Sequence, residues 1–160
     1  VIRDRRPARS YAFESVWSID APVERCWEFL AAPGQQWHDW WPHLHAIRIW
    51  RTDGVAGSRA RCLWKTPLGV LLRTQLCVVD VEPLRRVEMS VDGDLDGTGT
   101  VRFAGAGERT TRIEVTWRVV TKPWWMNVTA PALAPIFAWS HHRAMRGGEK
   151  GLNAILDAAR

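Results

Sequence analysis

The feature that most constrains this chain is a change of hydrophobic period. From Tyr11 to Val120 the apolar residues recur every second position in short segments. After Pro123 they recur every three or four. Period two belongs to strands with one covered face, and period 3.6 to a helix with one apolar stripe. The clearest alternator is Arg109 to Val120, where Ile113, Val115, Trp117 and Val119 face one way and Arg112, Glu114, Thr116 and Arg118 the other. Tyr11 to Ile19 behaves the same way, with Tyr11, Phe13, Ser15, Trp17 and Ile19 on one face. Five further strands are expected between them, over 47–51, 58–65, 70–81, 84–91 and 95–103. Val87, Met89 and Val91 share a face in the fifth strand. Gly97 and Gly99 weaken the sixth strand and permit a sharp bend or a close backbone approach.

Two short helices are expected after the first strand. One begins near Asp20-Ala21-Pro22, with Asp20 as its cap, and stops at Ala32-Pro33-Gly34. The other runs from Gln35 to Trp41, where Trp37, Trp40 and Trp41 have i, i+3, i+4 spacing. One long helix is expected from Pro131 to Ala159, with Pro135 near its start. Gly147, Gly148 and Gly151 lie inside it, each costing about 1 kcal/mol relative to alanine. A bulky partner or a close backbone explains them, with Trp17 and Trp117 as candidate partners. The sum is an α+β domain, a seven-stranded curved antiparallel sheet wrapped around a long C-terminal helix. The terminal helix is the only element long enough to cover the apolar face. Residues 1–9, with Arg3, Arg5, Arg6 and Arg9, are expected to be a basic tail, and residues 10–160 a single domain.

Composition excludes several function classes. The net charge of +5 is spread along the chain apart from that tail, so no nucleic-acid stripe is expected. No run approaches the length of a membrane span. Cys26, Cys62 and Cys77 form no CxxC pair, so reduced thiols in a cytoplasmic setting are expected. His38, His43 and His45 lack the accompanying ligands of a zinc site, and neither a metal nor a cofactor is expected. There is no nucleophile elbow, and Gly97-Thr98-Gly99-Thr100 has no lysine at phosphate-loop spacing. The unusual residue is tryptophan: eleven, against one tyrosine. Rings of that size with a polar Nε1 suggest a lined cavity, a ligand or a partner surface.

Several segments resemble a known family. They are Phe13-Glu14-Ser15-Val16-Trp17 followed by Ala21-Pro22-Val23-Glu24-Arg25-Cys26-Trp27; Trp40-Trp41-Pro42; Gly93-Asp94-Leu95; and Trp139 through Gly148. Together with the element order they resemble the START/Bet v 1-like (SRPBCC) superfamily, in particular its polyketide cyclase/dehydrase and lipid-transport proteins. The resemblance implies a helix-grip fold and a cavity between sheet and helix for a hydrophobic, aromatic or lipid-like molecule. The alternative it leaves open is a metal-independent polyketide cyclase or dehydratase. A monomer or homodimer is expected, and no catalytic set can be matched residue by residue.

The candidate ligand-binding residues are Trp117, Trp17, Trp64, Trp41, Tyr11, Phe13, Met89, Arg102, Phe137 and His141. Indole rings stack on planar ligands and donate one N–H. Arg102, and Arg73 as an alternative, would bind a carboxylate or enolate if turned inward. His141 and His142, about 100 degrees apart on the helix, cannot both face the cavity. Asp94 and Asp96 are either a carboxylate pair or turn caps.

Overall fold

The computed structural model describes residues 9–32 and 37–159, so most of the basic tail lies outside the described residues. The strands are β1 (Ser10–Ile19), β2 (Leu44–Trp50), β3 (Arg59–Lys65), β4 (Leu71–Glu82), β5 (Arg86–Gly93), β6 (Leu95–Gly105) and β7 (Thr111–Thr121). All are antiparallel in one sheet, in the order β1-β7-β6-β5-β4-β3-β2. β2 to β7 form a meander, and β1 closes on β7. The register Phe13↔Trp117 and Trp17↔Ile113 sets the inward residues of β1 and β7 side by side. A slip of one residue would turn all of them to solvent, so the apolar alternation fixes the alignment.

The sheet curls where side chains are missing. A Cβ on Gly97 would lie 2.0 Å from the Arg118 carbonyl oxygen, and its φ of +154° is closed to most residues. Gly99 makes room for rings instead: its Cβ would sit 3.2 Å from the Trp117 indole.

Helix α1 (Val23–Ala31) follows β1. Pro22, not Asp20, occupies its N-cap without a side-chain bond, and the Asp20 N–H donates to Asn153 Oδ1 at 2.8 Å. Of the expected second helix, residues 35 and 36 lie outside the described residues. The remainder is a single 3-10 turn at Trp37–Asp39. Pro42 has no N–H to add to the ladder and disfavours helix at the residue before it, so the segment stops at one turn.

Helix α2 spans Trp124–Ala158, seven residues earlier than Pro131 suggested. Tertiary anchoring overrides proline here. Met126 is buried, and Asn127 exchanges hydrogen bonds with the Thr121 hydroxyl and carbonyl at the end of β7. Pro131 and Pro135 both lie on the exposed side, where water can satisfy the carbonyls they leave free. The internal glycines do not break α2. A Cβ on Gly148 would meet Trp41 at 2.7 Å and Trp17 at 2.8 Å, and one on Gly151 would meet the Trp40 carbonyl oxygen at 1.7 Å. Trp17 is therefore one of the bulky partners, whereas Trp117 packs on Gly99. This contact seats the C-terminal half of α2 on β1 and the Trp40-Trp41 segment. Leu152, Leu156, Ile19, Cys26 and Ile113 fill the core beneath it.

Candidate functional site

Among the described residues two chambers open on the concave face of the sheet. The first, of about 150 Å³, lies under the middle of α2 and is called here the helix chamber. The second, of about 180 Å³, lies between β2–β7, α1 and the 3-10 turn and is called the sheet chamber. Trp41, Trp64 and Trp117 belong to both linings and so stand between them. Two of these rings are pinned. Trp41 Nε1 donates to the Ala144 carbonyl at 2.8 Å, and Trp64 Nε1 to Thr74 Oγ1 at 3.0 Å. Their centroids are 5.1 Å apart at 79°, an edge-to-face pair.

Tyr11 and Phe13 on β1 and Phe137 and His141 on α2 line the helix chamber. His141 stacks on Phe13, centroids 4.4 Å apart. His142 is exposed, which settles the choice between the two histidines. Burial is the chief cause that pushes the His141 pKa down from 6.5 to about 4, with the neighbouring His142 adding to it. The imidazole is therefore neutral at physiological pH. Three polar atoms in this lining are buried and have no partner: Tyr11 OH, Ser140 Oγ and His141 Nε2. Each is left wanting a hydrogen bond, an unfavourable state unless water or a ligand supplies it. Lys65 also borders this chamber and is exposed.

The sheet chamber takes Trp17 from β1 and Met89 from β5. Arg51 borders it just past the end of β2. Among the described residues no aspartate or glutamate lines either chamber.

Arg102 lies in neither lining and is exposed. On β6 the inward positions are Gly97, Gly99, Val101 and Phe103, so alternation turns Arg102 to the convex face. Arg73 is exposed by the same rule, because Leu72, Thr74 and Leu76 face in. Asp94 acts as a turn clasp: its Oδ2 accepts the Arg73 N–H at 2.7 Å and its own N–H donates to the Arg73 carbonyl. Asp96 pairs with Lys122 at 3.6 Å.

Among the lining residues absent from the candidate set, Ser140 and Arg51 carried a sequence signal. Ser140 lies three residues after Phe137 and four before Ala144, a polar residue on an apolar helical face. Arg51 continues the inward series Ile47, Ile49 at period two.

A family model described as polyketide cyclase / dehydrase and lipid transport matches residues 11–154. The chain belongs to this family. Solved structures of START and Bet v 1-like proteins share its fold. The Zhui aromatase/cyclase from Streptomyces sp. R1128 superposes with a TM-score of 0.75 at 14% identity, covering 93% of this chain and 94% of its own. A START superfamily protein from Mycobacterium smegmatis gives 0.71 at 14% identity, covering 93% and 99%. TTHA0849 from Thermus thermophilus gives 0.68 at 21% identity, covering 91% and 99%. At such identities the likeness establishes the helix-grip architecture alone. No curated protein sequence matches the chain. The helix chamber lies between the curled sheet and the terminal helix. Among the described residues no helix is long and apolar enough to cross a membrane.

Proposed function

We propose that the protein binds a hydrophobic, aromatic or lipid-like small molecule in the helix chamber, and that the bound molecule carries a hydroxyl or carbonyl oxygen. The observation behind this reading is the group of three unpartnered polar atoms, Tyr11 OH, Ser140 Oγ and His141 Nε2, in an otherwise largely apolar and aromatic lining. Each such group costs about 1–3 kcal/mol when buried alone, so a ligand oxygen that pairs with them gains that much in binding. A cavity of about 150 Å³ matches the size that holds one benzene ring. A larger ligand has to reach past the tryptophan partition or out of the chamber.

Binding fits these groups better than cyclisation or dehydration. Proton transfer is most effective when the acid or base titrates near the working pH. His141, held at about 4, is a weak base and is not an acid at neutrality. Among the described residues no carboxylate lines the chamber to replace it.

The test compares 4-methylphenol with toluene, which have the same ring and methyl group with and without an oxygen. Wild-type protein should bind 4-methylphenol about tenfold more tightly by calorimetry, the equivalent of one net hydrogen bond. In Ser140→Ala/His141→Phe the gap should close to about twofold. Trp117→Phe should weaken both probes by roughly 1 kcal/mol, the scale of an aromatic contact. Native mass spectrometry after gentle purification would identify a retained natural ligand. Equal affinity for the two probes in folded wild-type protein would refute the reading.

A further inference from the structure

The sheet chamber differs from the helix chamber in the kind of polar group it leaves unpaired. Four buried side-chain N–H donors without a partner belong to its lining: Nε1 of Trp17, Trp37 and Trp40, and Nε of Arg51. None of the unpaired side-chain groups in that lining is an acceptor. Unpaired donors behind an apolar lining are met by a group that accepts, once a ligand and the rings adjust to each other.

Arg51 supplies the charge. It is partly buried, and its Nη1 donates to the Ala31 carbonyl at 2.6 Å, at the C-terminal end of α1. That single bond leaves most of its five N–H groups uncommitted. Among the described residues no carboxylate lies within ion-pair distance of it. Burial alone lowers its pKa, with no opposing contribution from a nearby acid. An arginine that only capped α1 would have no need to border a cavity. A cation drawn partly out of water gains from a nearby anion. Ser58 borders the same end of the chamber. Its Oγ accepts the N–H of Thr52, the residue after Arg51, at 3.1 Å, and lies 3.4 Å from the Thr52 hydroxyl, whose own proton goes to the Ala56 carbonyl. Arg59, exposed, is a second cation in the lining.

We infer that the sheet chamber is a second binding site, for a hydrophobic acid: a compact ring or branched chain ending in a carboxylate, the oxyanion on Arg51 and the apolar body toward Met89 and the partition tryptophans. The fork of the guanidinium matches the two oxygens of a carboxylate, and such charge-assisted bonds are about twice as strong as neutral ones. The indole donors favour further acceptor oxygens on the same molecule. The site does not depend on what the helix chamber takes.

The probes are 4-isopropylbenzoate and 4-isopropylbenzyl alcohol, which share a skeleton and differ in charge. Calorimetry on wild-type protein should show the acid binding at least about tenfold more tightly, with an affinity that falls as salt rises. Arg51→Gln should remove that preference and the salt dependence while leaving the alcohol within about twofold. Arg51→Lys keeps the charge without the fork and should retain an intermediate preference. It also serves if Arg51→Gln loses its cap on α1 and unfolds. Ser140→Ala/His141→Phe should leave benzoate binding unchanged even though it weakens 4-methylphenol, which separates this site from the helix chamber. The inference is overturned if wild-type protein binds acid and alcohol equally. It is also overturned if either folded Arg51 variant binds the acid as wild type does.

Discussion

His141 makes stability depend on pH in a way that one substitution should remove. In the unfolded chain the imidazole titrates near 6.5, and in the folded protein at about 4. The folded form thus refuses a proton that the unfolded form accepts. Above about pH 6.5 neither form is protonated and the residue contributes nothing to the pH dependence. As pH falls from 6.5 towards 4 the unfolded state gains protons, and stability drops. Below the folded pKa both forms are protonated and the loss levels off. The gap between 6.5 and about 4 is worth roughly 3 kcal/mol in full, at about 1.4 kcal/mol per pH unit. Between about pH 7.5 and about pH 5 the expected loss from this residue is about 2 kcal/mol.

The perturbation is His141→Phe. Phenylalanine keeps the stack on Phe13 and removes both the titration and the unpaired Nε2. Urea unfolding of wild type and variant at the two pH values gives four free energies. The wild type should lose about 2 kcal/mol more than the variant on acidification. At about pH 7.5 the variant should equal or exceed the wild type in stability, because a buried unsatisfied group costs about 1–3 kcal/mol. Identical acid losses in the two proteins would refute the placement of a desolvated histidine in the helix chamber. His43, whose pKa is also lowered chiefly by burial, is present in both proteins and cancels in the comparison.

Two further outcomes follow from packing and burial. Gly151→Ala, normally favourable in a helix, should instead destabilise by about 1–3 kcal/mol or more in thermal unfolding, because its Cβ would overlap the Trp40 carbonyl. Burial pushes the Cys62 thiol up to about 12 and raises that of Cys26, so mild alkylation of native protein should label Cys77 first, as read by peptide mass spectrometry.

Much of this architecture was legible in the residues themselves. Alternation located the first, fifth and seventh strands, because a sheet covered on one face repeats at period two whatever its partners, and turn residues and β-branched runs marked the others. It also assigned Tyr11, Phe13, Trp17 and Trp117 to the concave side before any pairing was known. The cost of three helix glycines announced a close approach, met by Trp17, Trp41 and the Trp40 carbonyl. The start of α2 was not legible, since Pro131 and Pro135 signal a helix beginning. What overrides them is the burial of Met126 and the hydrogen bonds that tie Asn127 to Thr121 at the end of β7. Arg102 could have faced either way until the positions of Gly97 and Gly99 fixed the inward face of β6.

The choice between His141 and His142 needed the helix rotated against a real sheet, because a 100-degree offset does not say which side is covered. The chambers themselves are wholly tertiary. Local patterning can mark a side chain as inward. Whether an inward polar group finds a partner, or faces a space that a ligand must fill, depends on strands and helices brought together from opposite ends of the chain. Tyr11 with Ser140 and His141, and Trp17 with Arg51, are such combinations.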